Sequence, residues 1–423
     1  AGVLLALVLV GLFLFRGEWI ALALPLAVYL TLGWLDRPTE PSLSAARQLS
    51  TDRISEGLPV NGLLTVNNVG SALPEVDVRD TLSSGLRLTT GDPRRVVRLS
   101  AGERIDLEYT VEGPRGRYFF EPVQATARET FGLFEVPLPL AAPATLLVYP
   151  RVTDLPLLPI RPPQTKGFSG PIPSRRRGAG QDFLGVREYQ LGDSLRRINW
   201  RVSARHDAEL YANEFELDRV ADVCLIVDAR PHTEQRVRGR RLLDHSVEAT
   251  AGLAQGFLSV GHCVSVLVYG AGIARVYPGY GKHQLEKILR VLAAADSGMN
   301  YAFETLRNLP VRLLPPNGQV VYVASLVPAD LDLLVQLRAR GYAVLVVSPD
   351  PLHAERLETR DADSPDFRQA ERLARIERAM LLQRLSRAGV QTVNWRVDEP
   401  LAAVLEQAAR TMKTSRQPIE GRR

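Results

Sequence analysis

The sequence contains few cysteines and few lysines for its 423 residues. The only two cysteines, Cys224 and Cys263, both fall within predicted core strands, which argues against a disulfide framework and favours a reducing compartment. We interpret both as small buried hydrophobic residues. Four of the 52 basic residues are lysines, and we attribute this excess of arginine to biased genome composition rather than to selection for phosphate contacts.

The sequence also lacks the short motifs of common catalytic sites. It has no G-x-S-x-G, H-E-x-x-H or Walker A sequence, and its six histidines do not have metal-ligand spacing. No basic stripe with interleaved aromatic residues occurs outside residues 175–205, which argues against nucleic-acid binding. We therefore expect no enzyme activity and no cofactor, with an unrecognised hydrolase as one alternative.

Long apolar runs are present at the N-terminal end, at residues 1–15 and 19–35. A membrane-spanning helix needs about 20 apolar residues, or about 17 at the lower limit. We predict a two-helix membrane hairpin over residues 1–36, and we expect further residues before Ala1 because the chain starts without a methionine. A cleaved signal peptide is the alternative.

Charges beside the hairpin predict its orientation. Arg37, Arg47 and Arg53 follow the second run, whereas the hairpin loop has only Arg16 against Glu18. Because cytoplasmic flanks carry an excess of Lys and Arg, the later domains are expected in the cytoplasm. The sequence thus predicts a multi-pass protein of the cell membrane, with the lipid bilayer as one partner.

Two different patterns follow the hairpin. Residues 44–150 contain short alternating runs separated by Gly, Pro, Asn and Asp, which predicts an antiparallel β-sandwich. The aromatic residues near Tyr118 and within Phe131-Gly132-Leu133-Phe134 are expected to fill its core. Residues 151–219 form a proline-rich connector followed by a dense segment of charged and aromatic residues.

From residue 220 to residue 413, apolar strands alternate with amphipathic helices. The strand Val223–Val227 ends at Asp228, and a long helix is predicted from Ser364-Pro365 to Gly389. This alternation predicts an α/β domain with a doubly wound parallel sheet covered on both faces, and residues 414–423 are a tail.

The order of these strands resembles the von Willebrand factor A domain, whose metal site uses an Asp-x-Ser-x-Ser loop after the first strand. Here that loop reads Asp228-Ala229-Arg230-Pro231-His232, with Arg230 and His232 in place of the serines. Leu326 stands where the second aspartate of the site aligns, and Ser297-Gly298-Met299-Asn300 stands where its threonine aligns. The resemblance implies a degenerate site that holds no metal. We hypothesise that Arg230 pairs with Asp228 and substitutes for the cation.

Residues 178–216 fit neither the helical nor the strand period. They resemble the family labelled domain of unknown function 58. The residues that carry the resemblance are Gly180, Asp182-Phe183, Arg187-Glu188-Tyr189, Gly192-Asp193, Arg196-Arg197-Ile198-Asn199-Trp200, Ser203-Ala204-Arg205 and Glu209-Leu210. The resemblance extends to the two N-terminal helices, the sandwich and the α/β domain, and so covers almost the whole chain.

The family resemblance implies a membrane-anchored, non-enzymatic adaptor that partners a MoxR-type AAA+ ATPase in the assembly or maturation of other protein complexes. The alternative is a divalent-ion-dependent adhesion or ligand-binding receptor that faces outward. Within the dense segment we expect either an interdomain clasp or a protein-binding surface, in which Trp200 and Tyr189 bury a large area. Its residues are Asp182, Arg187, Tyr189, Asp193, Arg196, Arg197, Trp200 and Arg205.

Overall fold

The computed structural model describes residues 2–35, 41–156, 158, 160, 177–191, 193–205, 209–216, 220–298 and 309–414. The chain divides into two compact units, residues 1–149 and residues 150–423. The first unit contains two apolar helices followed by antiparallel sheets, and the second contains a mixed six-stranded sheet with helices.

Two helices open the first unit, α1 (Gly2–Phe13) and α2 (Gly17–Leu35). They pack closely, because a Cβ added at Gly11 would lie 2.7 Å from the Ile20 side chain. Among the described residues, only α2 is long and apolar enough to cross a membrane. With 12 residues, α1 is about 18 Å long, whereas the hydrocarbon core is about 30 Å thick.

Eleven strands complete the first unit. They are β1 (Leu43–Leu49), β2 (Arg53–Ser55), β3 (Val60–Asn68), β4 (Leu73–Arg79), β5 (Arg87–Gly91), β6 (Arg94–Leu99), β7 (Arg104–Glu112), β8 (Gly116–Phe119), β9 (Val123–Arg128), β10 (Glu135–Leu140) and β11 (Thr145–Tyr149). Two antiparallel sheets have the orders β1-β3-β7-β5 and β10-β9-β4-β6, and a third, β2-β11-β8, contains one parallel pair. Alternate residues of both antiparallel sheets point into one shared core, and we call residues 43–149 the β domain.

Some aromatic residues of the β domain are buried in its core and others are exposed. Tyr118 and Phe120 lie in the core, as predicted. Phe131 and Leu133 lie in the loop between β9 and β10 and are exposed, so the prediction that they fill the core is wrong for both. The loop packs against α2 instead, a long-range contact that strand periodicity does not reveal.

A buried ion pair joins β1 to the residue that follows β4. The side chains of Arg47 and Asp80 are both fully buried, and Arg47 Nε donates to Asp80 Oδ2 at 3.1 Å while Nη2 bonds Oδ1. Tyr109 donates its hydroxyl to the same carboxylate at 2.6 Å, and the Phe120 ring centroid lies 4.7 Å from Arg47 Cζ. Arg47 is buried and paired inside the β domain. It therefore adds no exposed positive charge beside the membrane, and the orientation prediction was wrong to include it.

The second unit contains ten strands and seven helices within the described residues. They are β12 (Arg177–Glu188), α3 (Trp200–Ser203), β13 (Tyr211–Glu216), β14 (Asp222–Asp228), β15 (Arg236–Val237), β16 (Arg240–Arg241), α4 (Leu242–Ser259), β17 (Cys263–Tyr269), β18 (Ile273–Gly279), α5 (Gly281–Ala293), β19 (Gln319–Val323), α6 (Leu331–Ala339), β20 (Ala343–Pro349), α7 (Pro351–Glu358), α8 (Pro365–Arg387), β21 (Gln391–Trp395) and α9 (Leu401–Thr414). The main sheet has the order β18-β17-β14-β19-β20-β21.

Five strands of the main sheet are parallel, but the edge strand β18 is antiparallel to β17. The expectation of a purely parallel sheet is therefore wrong at this edge. A tight turn makes the hairpin possible, since the N–H of Gly270 donates to the carbonyl of Gly272 at 3.0 Å. The half-exposed β18 lacks the continuous apolar run that marks the buried strands.

Helices cover both faces of the main sheet. Alternate residues of β14 enter opposite cores, with Leu225 facing α4, α5 and α9 and Ile226 facing α6 and α8. Cys224 and Cys263 are both buried and are not joined in a disulfide, as predicted. Part of the predicted connector also belongs to this unit, because Leu158 and Ile160 are buried in the core beside α4.

Candidate functional site

The carboxyl ends of β14 and β19 meet at a buried arginine. Asp228 is the last residue of β14, and Arg230 lies two residues further on, before a short 3-10 turn that begins with Pro231. Arg230 donates from Nε to Asp228 Oδ1 at 2.9 Å and from Nη2 to Asp228 Oδ2 at 2.8 Å. This two-pronged geometry makes a strong pair, and the predicted pairing of Arg230 with Asp228 is confirmed.

A second carboxylate, from Asp330, completes the arrangement. Arg230 Nη2 also lies 2.7 Å from Asp330 Oδ1, so one guanidinium joins two fully buried carboxylates. The hydroxyl of Tyr322 lies 3.1 Å from Asp228 Oδ2 and 3.2 Å from Asp330 Oδ2. Since a hydroxyl carries one hydrogen, Tyr322 donates to one of the two carboxylates at a time. We call these four residues the Arg230 cluster.

His232 lies at the margin of the Arg230 cluster. Its Nε2 is 3.1 Å from Asp228 Oδ2 and 3.1 Å from the carbonyl oxygen of Ser325. The ring is partly exposed, whereas the Arg230 and Asp228 side chains are almost fully buried. His232 is therefore the part of this site that solvent reaches.

The pKa values of the two carboxylates in the cluster are shifted in opposite directions. Burial alone raises the pKa of Asp228, but hydrogen bonds from His232 and Arg230 outweigh it and hold the pKa at about 2. Burial raises the pKa of Asp330, and the charge of Arg230 offsets this only in part. Burial and the two carboxylates also raise the pKa of Tyr322 well above its ordinary value, so its hydroxyl stays protonated.

The residues at this edge do not fit a divalent cation. Hard cations such as Mg²⁺ need a shell of oxygen ligands, whereas here a positively charged nitrogen lies within 2.8 Å of both carboxylates. Across the described part of the chain, no group of three or more His, Cys, Asp or Glu side chains has the arrangement of a metal site.

We expect acid to destabilise the second unit through Asp228. Its folded pKa of about 2 lies below the ordinary value of 3.8, so its stabilisation is present above pH 3.8 and is lost as the pH falls through 2. The contribution is roughly 2 kcal/mol. Asp330 acts with the opposite sign, because a raised folded pKa makes its ionisation destabilising as the pH rises.

Thermal unfolding of the detergent-solubilised full chain between pH 6 and pH 2 measures this effect. Asp228→Asn is expected to be less stable at pH 6 and to show a flatter decline in acid. An equally steep decline in the variant would mean that other carboxylates govern acid unfolding.

Sequence reasoning missed Asp330 and Tyr322. Leu326, where a second carboxylate was sought, is buried in the core between the sheet and α6, and Asp330 follows it in the turn that precedes α6. Of the other predicted loop, Gly298 donates its N–H to the carbonyl of Ala229 at 3.2 Å and so lies beside the site, while Met299-Asn300 falls outside the described residues. The sequence feature that could have identified Asp330 as a site residue is its position shortly after the end of β19.

The dense segment forms a separate polar network around Arg187, which lies on β12. Arg187 Nη2 donates to Asp193 Oδ1 at 2.6 Å, and Nε lies 2.8 Å from Glu214 Oε1 on β13. Tyr189 donates its hydroxyl to the carbonyl of Asp193 at 3.1 Å. A hydrogen bond and charge from Arg187 lower the pKa of Asp193, which stays ionised. Three predicted residues, Arg187, Tyr189 and Asp193, are thus brought together.

Short-range hydrogen bonds also position α3. The Asn199 side chain caps the helix by accepting the N–H of Val202 at 3.1 Å, and its amide donates to Asn213 Oδ1 at 2.8 Å. Trp200 follows this cap and is 66% exposed, so it buries little of its side chain within this chain. Exposed apolar side chains accompany it in the segment, and we call this set the Trp200 surface: Phe183, Leu191, Leu195, Trp200 and Leu210.

The other predicted residues of the segment differ in their exposure. Arg196 and Arg205 are exposed, and Arg197 is half-buried and contributes to the low pKa of Asp193 through its charge. The backbone of Asp182 lies on β12, whereas its side chain falls outside the described part of the structure.

The model of the family described as "Protein of unknown function DUF58" matches residues 185–357. This range contains both the Arg187 network and the Arg230 cluster, and it confirms the predicted resemblance over that part of the chain. The "Uncharacterized protein YeaD" of Bacillus subtilis (strain 168) is 26% identical over 300 residues, which are 69% of this chain and 73% of that protein.

Two solved structures resemble parts of the chain. The CARDB domain of a Pyrococcus furiosus protein aligns over 26% of this chain and 97% of its own, with 20% identity and a TM-score of 0.20. The cupredoxin domain of amoB from Nitrosocaldus yellowstonii aligns over 30% and 99%, with 10% identity and a TM-score of 0.21. Scores this low do not define the fold.

Proposed function

We propose that this chain is a membrane-anchored, non-enzymatic adaptor that binds another protein through the Trp200 surface. The exposure of Trp200 beside the Arg187 network is the observation that carries the proposal. Interface hot spots are enriched in Trp, Tyr and Arg, and a tryptophan left in water has apolar area to bury on binding. The ion pair of Arg187 with Glu214 joins β12, which carries Phe183, to β13.

The second unit is proposed to be a von Willebrand factor A-like domain in which Arg230 replaces the metal ion. The sheet order with β14 near its centre, and the loop that follows β14, support this resemblance. In such a domain the cation is built into the chain, so the edge of the sheet keeps its shape without a bound ion. The proposed role of the Arg230 cluster is then to stabilise the fold, and partner binding is assigned to the Trp200 surface.

The membrane anchor is proposed to be the helical hairpin, with the soluble domains in the cytoplasm. The length and apolar composition of α2 support spanning. The partner proposed from the family resemblance is a MoxR-type AAA+ ATPase. An ATPase in the cytoplasm reaches only domains on that side of the membrane, so a cytoplasmic orientation and this partner are proposed together.

Trp200→Ala is expected to weaken partner binding by about tenfold or more, because truncation of an interface anchor costs about 2 kcal/mol. The full chain is purified in mild detergent from its own cells, and the bound proteins are identified and quantified by mass spectrometry. Phe119→Ala is the matched control, since Phe119 on β8 is 62% exposed and lies in the other unit.

Each outcome of this purification decides one part of the proposal. Recovery of a MoxR-type ATPase with the wild-type chain and with Phe119→Ala, but not with Trp200→Ala, supports both partner and surface. An ATPase retained by Trp200→Ala moves the binding surface elsewhere. A wild-type preparation with no ATPase and no other stable partner contradicts the adaptor function.

A further inference from the structure

One end of the β domain gathers loops beside the helix α2. Residues 41–42 lead into β1 at this end, where the register pairs Leu43 with Asn68 at the end of β3. The short β3–β4 turn starts β4 at the same end, and β4 pairs with β9 so that Glu75 lies opposite Arg128. The β3–β4 turn and the β9–β10 loop therefore share this end.

The β9–β10 loop packs directly on the last turns of α2. The Tyr29 hydroxyl donates to the carbonyl of Phe131 at 3.0 Å, and the two rings meet edge to face with centroids 5.2 Å apart. A Cβ added at Gly33 would lie 2.7 Å from Leu133 Cδ1, so the absence of a side chain at Gly33 allows this approach. The loop is thus held at the level of the aromatic residues near the end of α2.

The backbone N–H groups of this loop from residue 131 to residue 134 have an acceptor within the protein and do not need water. The buried carboxylate of Glu129 accepts the backbone N–H groups of all four residues from Phe131 to Phe134, at 3.0 Å for Gly132 and 3.1 Å for Phe134. Unsatisfied N–H groups cost several kcal/mol each in hydrocarbon, and here they already have an acceptor. The flanking charge of Arg128 is paired with Glu75 and Glu135.

Apolar side chains are exposed at this same end. Phe131 and Leu133 project from the β9–β10 loop, and Val69 in the β3–β4 turn is 67% exposed. Phe131 and Leu133 adjoin α2, where Trp34 and Leu35 are also exposed. Aromatic residues are enriched where a membrane protein meets the lipid interface.

We propose that this end of the β domain inserts into the membrane interface, with Phe131, Leu133 and Val69 in contact with lipid. The inference rests on the proposed membrane anchoring by α2. It assigns the patch to lipid, because Phe131 and Leu133 lie against a helix of membrane-spanning length and the loop leaves no N–H from 131 to 134 in need of water. The insertion fixes the β domain against the bilayer surface.

Variants of the full chain with one added cysteine, in vesicles of phosphatidylcholine and phosphatidylglycerol, test the proposal. Both native cysteines are buried, so an environment-sensitive fluorophore attached to Leu133→Cys or Val69→Cys reports the new site. We expect blue-shifted emission and a several-fold larger loss of fluorescence with spin-labelled lipids than for Leu58→Cys. Leu58 is a matched control, since it is 56% exposed and precedes β3 at the opposite end.

Leu24→Cys separates this inference from the anchoring on which it rests. Leu24 is exposed near the middle of α2, and its label is expected to be quenched by lipids that carry the spin label deep in the acyl chain. Quenching at Leu24 without quenching at Leu133 and Val69 would overturn the inserted end and leave the anchor intact. No quenching at Leu24 would overturn the anchor. Val69→Cys replaces a solvent-exposed side chain, so it keeps the test valid if Leu133→Cys disturbs packing on Gly33.

Discussion

Arg230→Ser is expected to lower the free energy of unfolding of the second unit by about 3–5 kcal/mol. The substitution leaves the buried carboxylates of Asp228 and Asp330 facing each other without the guanidinium that now joins them. A loss of this size lowers the melting temperature by on the order of 10 °C. Calorimetry of the full chain in detergent measures the shift, and hydrogen exchange in peptides from β14 and β19 assigns it to the second unit.

Arg290→Ser provides the control for Arg230→Ser. Arg290 lies on α5 and pairs with Glu286 one turn away, with both side chains exposed. Such surface pairs contribute about 0.2–1 kcal/mol, so the control is expected to unfold close to the wild type. Equal losses in the two variants would show that the buried pairing of Arg230 is not a major source of stability.

Added Mg²⁺ tests whether Arg230 takes the place of a metal ion or only forms an ordinary buried ion pair. If Arg230 stands in for a metal, Arg230→Ser leaves two carboxylates and a new hydroxyl at the carboxyl ends of β14 and β19, all of them oxygen ligands. Mg²⁺ at tenfold above its dissociation constant then restores about 1.4 kcal/mol, whereas it does not affect the wild type or Arg290→Ser. Identical unfolding of Arg230→Ser in Mg²⁺ and in chelator would contradict the replacement and leave the stability argument standing.

Local signals made much of the α/β unit predictable. The continuous apolar runs of β14, β17, β19 and β20 are buried on both faces, as a sheet covered by helices requires. The start of α8 was predicted from Ser364 and Pro365, and the Ser364 hydroxyl does accept the N–H of Phe367 at 3.3 Å. Its end was predicted from Gly389, which has a φ of +79°. In each case the residues that decide the structure are neighbours in sequence.

Contacts between distant residues were beyond the same reasoning. Asp330 meets Arg230 across 100 residues of sequence, and Tyr29 meets Phe131 across 102. Neither pair has a spacing that a periodic pattern records, because each depends on which elements the fold brings together. The pairing of Asp228 with Arg230 was predictable since it spans two residues and needs only the turn after β14.

Both units bury an arginine against an aspartate at the end of a strand. Asp80 follows β4 and Asp228 ends β14, and a tyrosine hydroxyl reaches each carboxylate, from Tyr109 and Tyr322. A buried charge is tolerated only with a partner of opposite sign and with its remaining hydrogen-bonding atoms satisfied. Removal of one partner is therefore expected to affect stability far more than the loss of an ion pair at the surface.

Asp80→Asn is expected to destabilise the β domain by about 3–5 kcal/mol. The amide removes the negative charge from a fully buried partner of Arg47 and turns an N–H donor toward a guanidinium that can only donate. Asp106→Asn is the control, because Asp106 accepts hydrogen bonds from Arg104 at 2.9 and 3.0 Å and from the Thr65 hydroxyl at 2.7 Å at a partly exposed site, where the loss is expected to be much smaller. Urea unfolding of the full chain in detergent, with hydrogen exchange followed in peptides of β3 and β7, compares the two. A β domain that resists urea equally well in both variants would show that burial does not set the strength of the Arg47 pair.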